Sequence, residues 1–330
     1  MTAAPPAPGP IPNPGTVPHR ATAEGVPNQR GDQPLAGIGY MVLAVALFSV
    51  MDTFAKALTT TFPVAQILVF RAAGALLIVL PLAWRLGGGG RALIRQARGA
   101  ALKLLLAGLL GAGALASFLM AWRTLSLIEV AAILFTAPLI VTALSVPLLR
   151  ESVGIHRWSA VVVGFMGALI ILRPGGAVFG GAALWAMLGA LCYALWMISL
   201  RMAGKAVPSS LVTTSNALLM LVIALPFAIW VWTPASTGQG LALLGVGVIG
   251  GLAQLCLTRA FSLAPAALVA PFDYSYILYG TALDLAVFAL FPDAGTWMGL
   301  GLITAAGMYV IHRERVVARR RRTAEATTSS

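Results

Sequence analysis

Along the chain, the balance of apolar and polar positions changes abruptly at Leu35. Before it, nine prolines and four glycines fall within thirty-four residues that have almost no apolar periodicity. Such a segment cannot bury enough apolar surface to fold, so 1–34 is expected to be a disordered, Pro-rich tail. From Leu35 to Ile311 long apolar runs alternate with short polar breaks. A helix needs about 20 mainly apolar residues to cross a bilayer core. The runs divide into ten such stretches, near 35–58, 64–83, 101–122, 127–149, 157–172, 181–201, 210–232, 240–261, 264–290 and 295–311. The pattern predicts an all-α integral membrane protein with ten transmembrane helices. The first run is not expected to be a signal peptide, because no compact basic stretch precedes it and it ends in charged rather than small residues.

Composition agrees with the pattern. The 330 residues are 59% hydrophobic and 10% charged, with a mean hydropathy of +0.90. Soluble chains carry about 25% charged residues, so ten acidic side chains could not solvate a soluble particle of this size. Seven of the eight tryptophans fall near the proposed span ends, where an amphipathic ring prefers the headgroup level; Trp196 lies deeper. Cys192 and Cys256 sit inside apolar runs and form neither a disulfide framework nor a CxxC pair.

The net charge of +12 would point to nucleic acid in a soluble protein. Sorted by side it reads instead as topology, because cytoplasmic loops are rich in Lys and Arg. With the N-terminus inside, 18 of the 22 basic residues fall on the cytoplasmic side, including six arginines from Arg313 to Arg322. Three, Lys56, Arg123 and Arg173, fall on the other, and Arg71 is left within a span. Ten spans with both termini cytoplasmic fit this split; nine or eleven would put an arginine-rich terminus outside. The expected setting is an inner (plasma) membrane, with the 313–330 tail against anionic lipid at the cytoplasmic face and no nucleic-acid partner. A monomer or weak homo-oligomer is expected.

The chain also repeats itself. At a displacement of 145 residues Phe48 falls on Tyr193, Lys56 on Arg201, Pro63 on Pro208, Arg71 on Asn216 and Pro81 on Pro226. Further on, Arg123 meets Arg259 and Trp158 meets Trp297. Two halves of five spans each, 35–173 and 180–312, are the simplest account. An odd number of spans per half makes the second enter from the opposite face, the arrangement of secondary transporters that bind substrate near the midplane.

With Phe70-Arg71 in the second span, Pro138 in "LFTAPLIVTALSVPLLRE", Glu151 ahead of "RWSAVVVGFMGALIIL" and "WMGLGLITAAGMYVI" at the end, the chain resembles the EamA-type transporters of the drug/metabolite transporter superfamily. The resemblance covers 35–312 and implies ten helices in two inverted five-helix EamA repeats. "MDTFAK" at 51–56, "P..Q...FR" at 63–71 and "APFDY" at 270–274 are similar to the branch that carries S-adenosylmethionine and riboflavin. One departure is visible: Leu290 stands where the second half often has the counterpart of Glu151.

An ionisable side chain in the hydrocarbon region costs roughly 2.5–3.5 kcal/mol on the gentlest scales, so each one needs a reason. Arg71 lies about 12 Å into the second helix, at 1.5 Å per residue. It either binds an anionic group of the substrate or pairs structurally with an acid. Asp52 and Lys56, four apart, share a face of the first helix and can pair; Lys56 also reads as a snorkelling anchor, and Asp52 as a partner of Lys56 or Arg71 or as a protonatable coupling residue. In the ninth span Pro271 weakens the helix before Asp273, exposing carbonyls that need a polar cavity or a neighbouring helix. Asp273, Tyr276, Gly280 and Asp284 form one stripe at helical spacing. Asp273 reads first as lining the substrate pathway and otherwise as a buried partner of a basic residue; for Asp284, nearer the outer end, the order is reversed. Substrate is expected near Arg71, Asp273 and Tyr276 at mid-depth. Tyr193 and Trp196 are candidates for stacking on a planar substrate, with packing the alternative. Glu129 reads as a helix N-terminal acid.

No GxxxxGK[ST] loop, HExxH, GxSxG or paired metal-ligand spacing occurs in the sequence, so no cofactor, metal or nucleotide hydrolysis is expected. The reading is a secondary carrier, not an enzyme, for a small organic metabolite such as an amino acid, cofactor or drug-like compound. Uptake of the S-adenosylmethionine or riboflavin type is the alternative, and a channel or an intramembrane enzyme the rival from another class.

Overall fold

The reason these apolar runs become helices is the membrane itself: without water, each backbone N–H and C=O must be satisfied within the segment. In a computed structural model of the chain, residues 34–86, 101–149, 154–172, 181–203, 209–264 and 266–328 are described. The tail at 1–33, Arg91, Arg95, Arg98, Arg150, Glu151, Arg173 and Lys205 lie outside them. Every regular element among the described residues is helical.

In chain order the helices are α1 (Pro34–Leu58), α2 (Val64–Leu86), α3 (Ala101–Trp122), α4 (Leu127–Leu134), α5 (Ala137–Leu149) and α6 (Ile155–Leu172). They continue with α7 (Gly181–Ala203), α8 (Ser209–Trp230), α9 (Thr237–Leu263), α10 (Ala266–Val269), α11 (Tyr276–Phe288) and α12 (Ala294–Thr328). Seven helical stretches among the described residues are long and apolar enough to cross a membrane: Leu35–Leu58, Val64–Leu82, Ala101–Trp122, Leu127–Leu144, Gly181–Ser199, Val212–Trp230 and Thr237–Leu263. Trp158–Leu172 is a shorter apolar helix. The chain is therefore a multi-pass, all-helical membrane protein.

The stretch expected at 264–290 is not one continuous α-helix. A 3-10 segment at Ala270–Ser275, with Pro271 at its start, separates α10 from α11. The stretch at 127–149 is also interrupted: α4 ends at Leu134 with Phe135 as its cap, just ahead of Pro138, and α5 begins at Ala137. The two interruptions touch, with the ring centroids of Phe135 and Tyr274 4.9 Å apart and the rings tilted by 42°. The 295–311 stretch belongs to α12, which continues in helical form through the arginine-rich segment to Thr328 rather than stopping near 311.

Local signals set several ends. Ser126 accepts from the Glu129 amide while the Glu129 carboxylate accepts from the Ser126 amide, a reciprocal cap on α4. Ser236 and Gln239 do the same for α9. Gln66, fully buried near the start of α2, clamps the segment before α9: its Nε2 donates to the Thr233 carbonyl at 2.9 Å, and its Oε1 accepts from the Thr233 amide at 3.0 Å.

Packing is mostly between early and late helices. α1 lies against α9 and α11, α2 against α8 and α9, α3 against α7 and α8, and α6 against α12. The main core gathers Met51, Ile67, Leu119, Leu127 and Leu243. Large apolar side chains such as Leu77, Val162, Phe165, Phe227 and Leu278 face outward, as a lipid-facing surface requires. Where lipid is as apolar as leucine, helices associate by close contact of small residues. A Cβ on Gly74 of α2 would stand 2.5 Å from the Leu244 carbonyl and 2.8 Å from the Gly247 Cα of α9. Gly167 and Gly299 meet in the same way between α6 and α12.

Because the obstructing atoms at Gly74 are backbone, Gly74→Val is expected to lower stability by about 1–3 kcal/mol. Gly245→Ala, with open space around its Cβ position, should be close to neutral. Thermal denaturation of the detergent-purified protein checks both.

Candidate functional site

The polar residues of the interior sort into two layers along the seam between α1 and α11. One turn of α1 separates Asp52 from Lys56, and each meets a different residue of α11. Tyr276 donates its hydroxyl to Asp52 Oδ2 at 3.1 Å. Lys56 Nζ lies 3.2 Å from Asp284 Oδ1. Both sequence numbers rise together, so the two helices run parallel here. The pairing that the four-residue spacing allows between Asp52 and Lys56 gives way to these partners on α11.

The Lys56–Asp284 layer is almost fully satisfied. Asp284 is completely buried and Lys56 nearly so. Besides Lys56, Asp284 Oδ1 accepts from the Leu127 amide at 3.1 Å, and Oδ2 from the Ile128 amide at 3.0 Å. These are the first two amides of α4, orphaned at any helix N-terminus, and the third is taken by Ser126. A carboxylate there also complements the helix dipole. Lys56 in turn sits 4.3 Å from the ring centroid of Phe288, a cation–π contact. The arrangement joins α1, α4 and α11.

The Asp52 layer is looser. Arg71 of α2 reaches toward Asp52, but its Nη1 is 4.0 Å from Oδ1, at the outer limit of an ion pair and too long for a hydrogen bond. That Nη1 is buried without a hydrogen-bond partner. A guanidinium is an obligate donor, and no described residue supplies an acceptor to this end of Arg71. The two layers are made of similar groups, yet the first is closely hydrogen-bonded and the second is not.

The remaining candidates are placed as follows. Asp273 is an exposed residue on the 3-10 segment; its carbonyl accepts from the Tyr276 amide, and its carboxylate makes no hydrogen bond or ion pair with a described residue. It stands apart from Tyr276 and Asp284, which turn toward α1, because the helical winding changes between them. Tyr193 and Trp196, one turn apart on α7, hold their ring centroids 5.3 Å apart at 35°. The Trp196 indole Nε1 is buried and unpaired. Asn216 of α8, noted in the sequence only as the counterpart of Arg71, also carries a buried, unpaired oxygen. Gln66 belongs to the motif at 63–71, but neither its bonds to Thr233 nor the Leu127 and Ile128 amides are legible in the sequence; a backbone partner leaves no mark there.

Comparison with known proteins adds to this geometry. The EamA-like transporter family model matches twice, over residues 35–173 and 180–311. The chain is 29% identical over 300 residues to a riboflavin transporter of Vibrio cholerae, covering 88% of this chain and 97% of that one. It is 28% identical over 283 residues to an S-adenosylmethionine uptake transporter of Rickettsia felis, covering 85% and 94%. A pseudopaline exporter of Pseudomonas aeruginosa is 30% identical over 277 residues, covering 82% and 94%. A solved crystal structure superposes with a TM-score of 0.57 at 17% identity, over 87% of this chain and 98% of that one, a likeness of fold alone.

Removing one member of a buried ion pair leaves the other uncompensated, so Asp284→Leu is expected to cost about 3–5 kcal/mol in stability. Combining it with Lys56→Met should recover only part of the loss, since the Leu127 and Ile128 amides stay unpaired. Thermal unfolding of the single and double variants measures the difference.

Proposed function

The chain belongs to the EamA-like transporter family, and on that premise we propose that it moves a small organic metabolite across the inner membrane by alternating access between two inverted five-helix halves, 35–173 and 180–312. The observation that carries the site assignment is the buried Arg71 guanidinium, loosely held by Asp52 and with one nitrogen unpaired.

In this reading an anionic or acceptor group of the substrate completes the coordination of Arg71. Asp52, hydrogen-bonded to Tyr276, is displaced toward the phenol and exchanges a proton when transport is coupled. Asp273, exposed on the broken helix, lines the same pathway from the opposite half, and the Tyr193–Trp196 pair offers a surface for a flat group. Breaks in spanning helices are tolerated where irregular backbone lines a cavity, which fits the meeting of the two interruptions at Phe135 and Tyr274.

Ten spans with cytoplasmic termini put Lys56, Asp284 and the start of α4 near the outer face. The pair then bridges the first half to the second and closes that side. Opening it separates two buried charges, which keeps the outward-open state a minor one until substrate or a proton shifts the balance. A second reading, uptake of a cofactor of the S-adenosylmethionine or riboflavin type, is favoured by two relatives whose names carry those substrates.

Uptake into proteoliposomes of labelled riboflavin, S-adenosylmethionine and a panel of amino acids, with and without an imposed pH gradient, tests the proposal. Arg71→Ala and Asp273→Asn should each reduce uptake of the transported compound by at least tenfold with normal expression and melting temperature. Asp52→Asn should abolish the response to the pH gradient while leaving exchange of substrate across the membrane. Full transport by the Arg71 and Asp273 variants would remove both residues from the site.

A further inference from the structure

Three helices meet beside Gly111 on α3. A Cβ at Gly111 would lie 3.6 Å from both Cδ1 and Nε1 of Trp196 on α7, and 3.8 Å from Nδ2 of Asn216 on α8. Gly111 thus brings the indole N–H edge of Trp196 and the carboxamide of Asn216 to within ordinary contact of one point, with space there for no more than a methyl group. Both of those groups are orphaned: Trp196 Nε1 and Asn216 Oδ1 are buried with no hydrogen-bond partner. A buried polar atom left unpaired costs about 1–3 kcal/mol, and two neighbouring side chains here each carry one. Phe in place of Trp196 and Leu in place of Asn216 would remove that penalty. In the aligned repeat, Asn216 occupies the position of Arg71, whose Nη1 is orphaned in the same sense.

We propose that Asn216 and Trp196 form a neutral hydrogen-bonding subsite that recognises the edge of a planar heterocycle carrying an adjacent donor and acceptor. The indole N–H donates to a ring nitrogen or carbonyl of the ligand. The Asn216 oxygen accepts from the neighbouring ring or amino N–H. Tyr193, tilted at 35° beside Trp196, supplies an aromatic face for the same ring. The inference rests on the transport reading above and narrows its substrate class: Arg71 takes the anionic or acceptor end, and Trp196 with Asn216 takes the edge of the heterocycle. Sites built to hydrogen-bond a substrate reject analogues that lack the complementary group more strongly than apolar pockets do, so Asn216 is a specificity-determining residue.

The test uses the full-length protein in detergent, with riboflavin and S-adenosylmethionine as probes, since each carries such an edge, and a ring-N-methylated riboflavin as the analogue without the donor. Equilibrium binding is measured for the wild type, Asn216→Leu, Trp196→Phe and Arg71→Ala. At least one probe should bind the wild type, and Asn216→Leu and Trp196→Phe should each weaken it about ten- to a hundredfold. For riboflavin, Asn216→Leu should also abolish the preference over the methylated analogue. The same two variants should keep or raise the melting temperature of the ligand-free protein, an outcome opposite to that of a purely structural residue. Unchanged affinity in both variants, a lower melting temperature in both, or no binding of either probe to the wild type would overturn the subsite. Loss of binding in Arg71→Ala with Asn216→Leu unaffected would sink this inference alone and leave the transport reading intact.

Discussion

The carboxylate of Asp284 carries the tightest constraint in the molecule. It has no exposed surface, and its two oxygens answer one ammonium and two backbone amides from segments far apart in the chain. A lone charge in this environment costs several kcal/mol. The same charge, surrounded by Lys56 and the start of α4, becomes the reason α1, α4 and α11 hold a common register. Even the backbone of Asp284 takes part: α11 ends at Ala289 in a left-handed conformation, and the Leu290 amide returns to the Asp284 carbonyl at 3.0 Å.

Against that closed layer, the incompleteness of the next is informative. Arg71, Trp196 and Asn216 each keep a buried polar atom without a partner, although the packing around them is close. Glycines permit that closeness on the α2–α9 and α6–α12 contacts. Trp122, Ser275, Thr281 and Thr304 also keep a buried polar atom unpaired, so what distinguishes Arg71 is its charge, and what distinguishes Trp196 and Asn216 is that both lie beside Gly111. In the proposed transport reading, such open polarity is what a substrate gains by completing.

Among the described residues Pro138 and Pro271 sit beside two interruptions of α-helical winding, and the rings of Phe135 and Tyr274 next to them lie 4.9 Å apart, tilted by 42°. Proline removes a donor and crowds the preceding turn, which frees backbone groups at mid-chain in each stretch. At the second of these breaks Asp273 is released from the face that Tyr276 and Asp284 present to α1.

The sequence alone determined that this is an all-helical membrane protein and which few side chains could not belong to lipid; it did not show that the stretches at 127–149 and 264–290 are interrupted or that the last helix runs on to Thr328. What it determined follows from local chemistry: apolar run length, proline placement and the cost of a charge in hydrocarbon. It also carried the family likeness, matched over 35–173 and 180–311. The partners of those side chains were another matter. Asp52 and Lys56 are neighbours by helical spacing, yet Asp52 meets Tyr276 across 224 positions and Lys56 meets Asp284 across 228. Asp284 was legible as an acid needing a cation, but its bonds to the Leu127 and Ile128 amides were not, because every residue has an amide. Tertiary structure decided these matters, since a buried charge takes the nearest satisfied arrangement in space, and nearness between helices is set by how their faces pack.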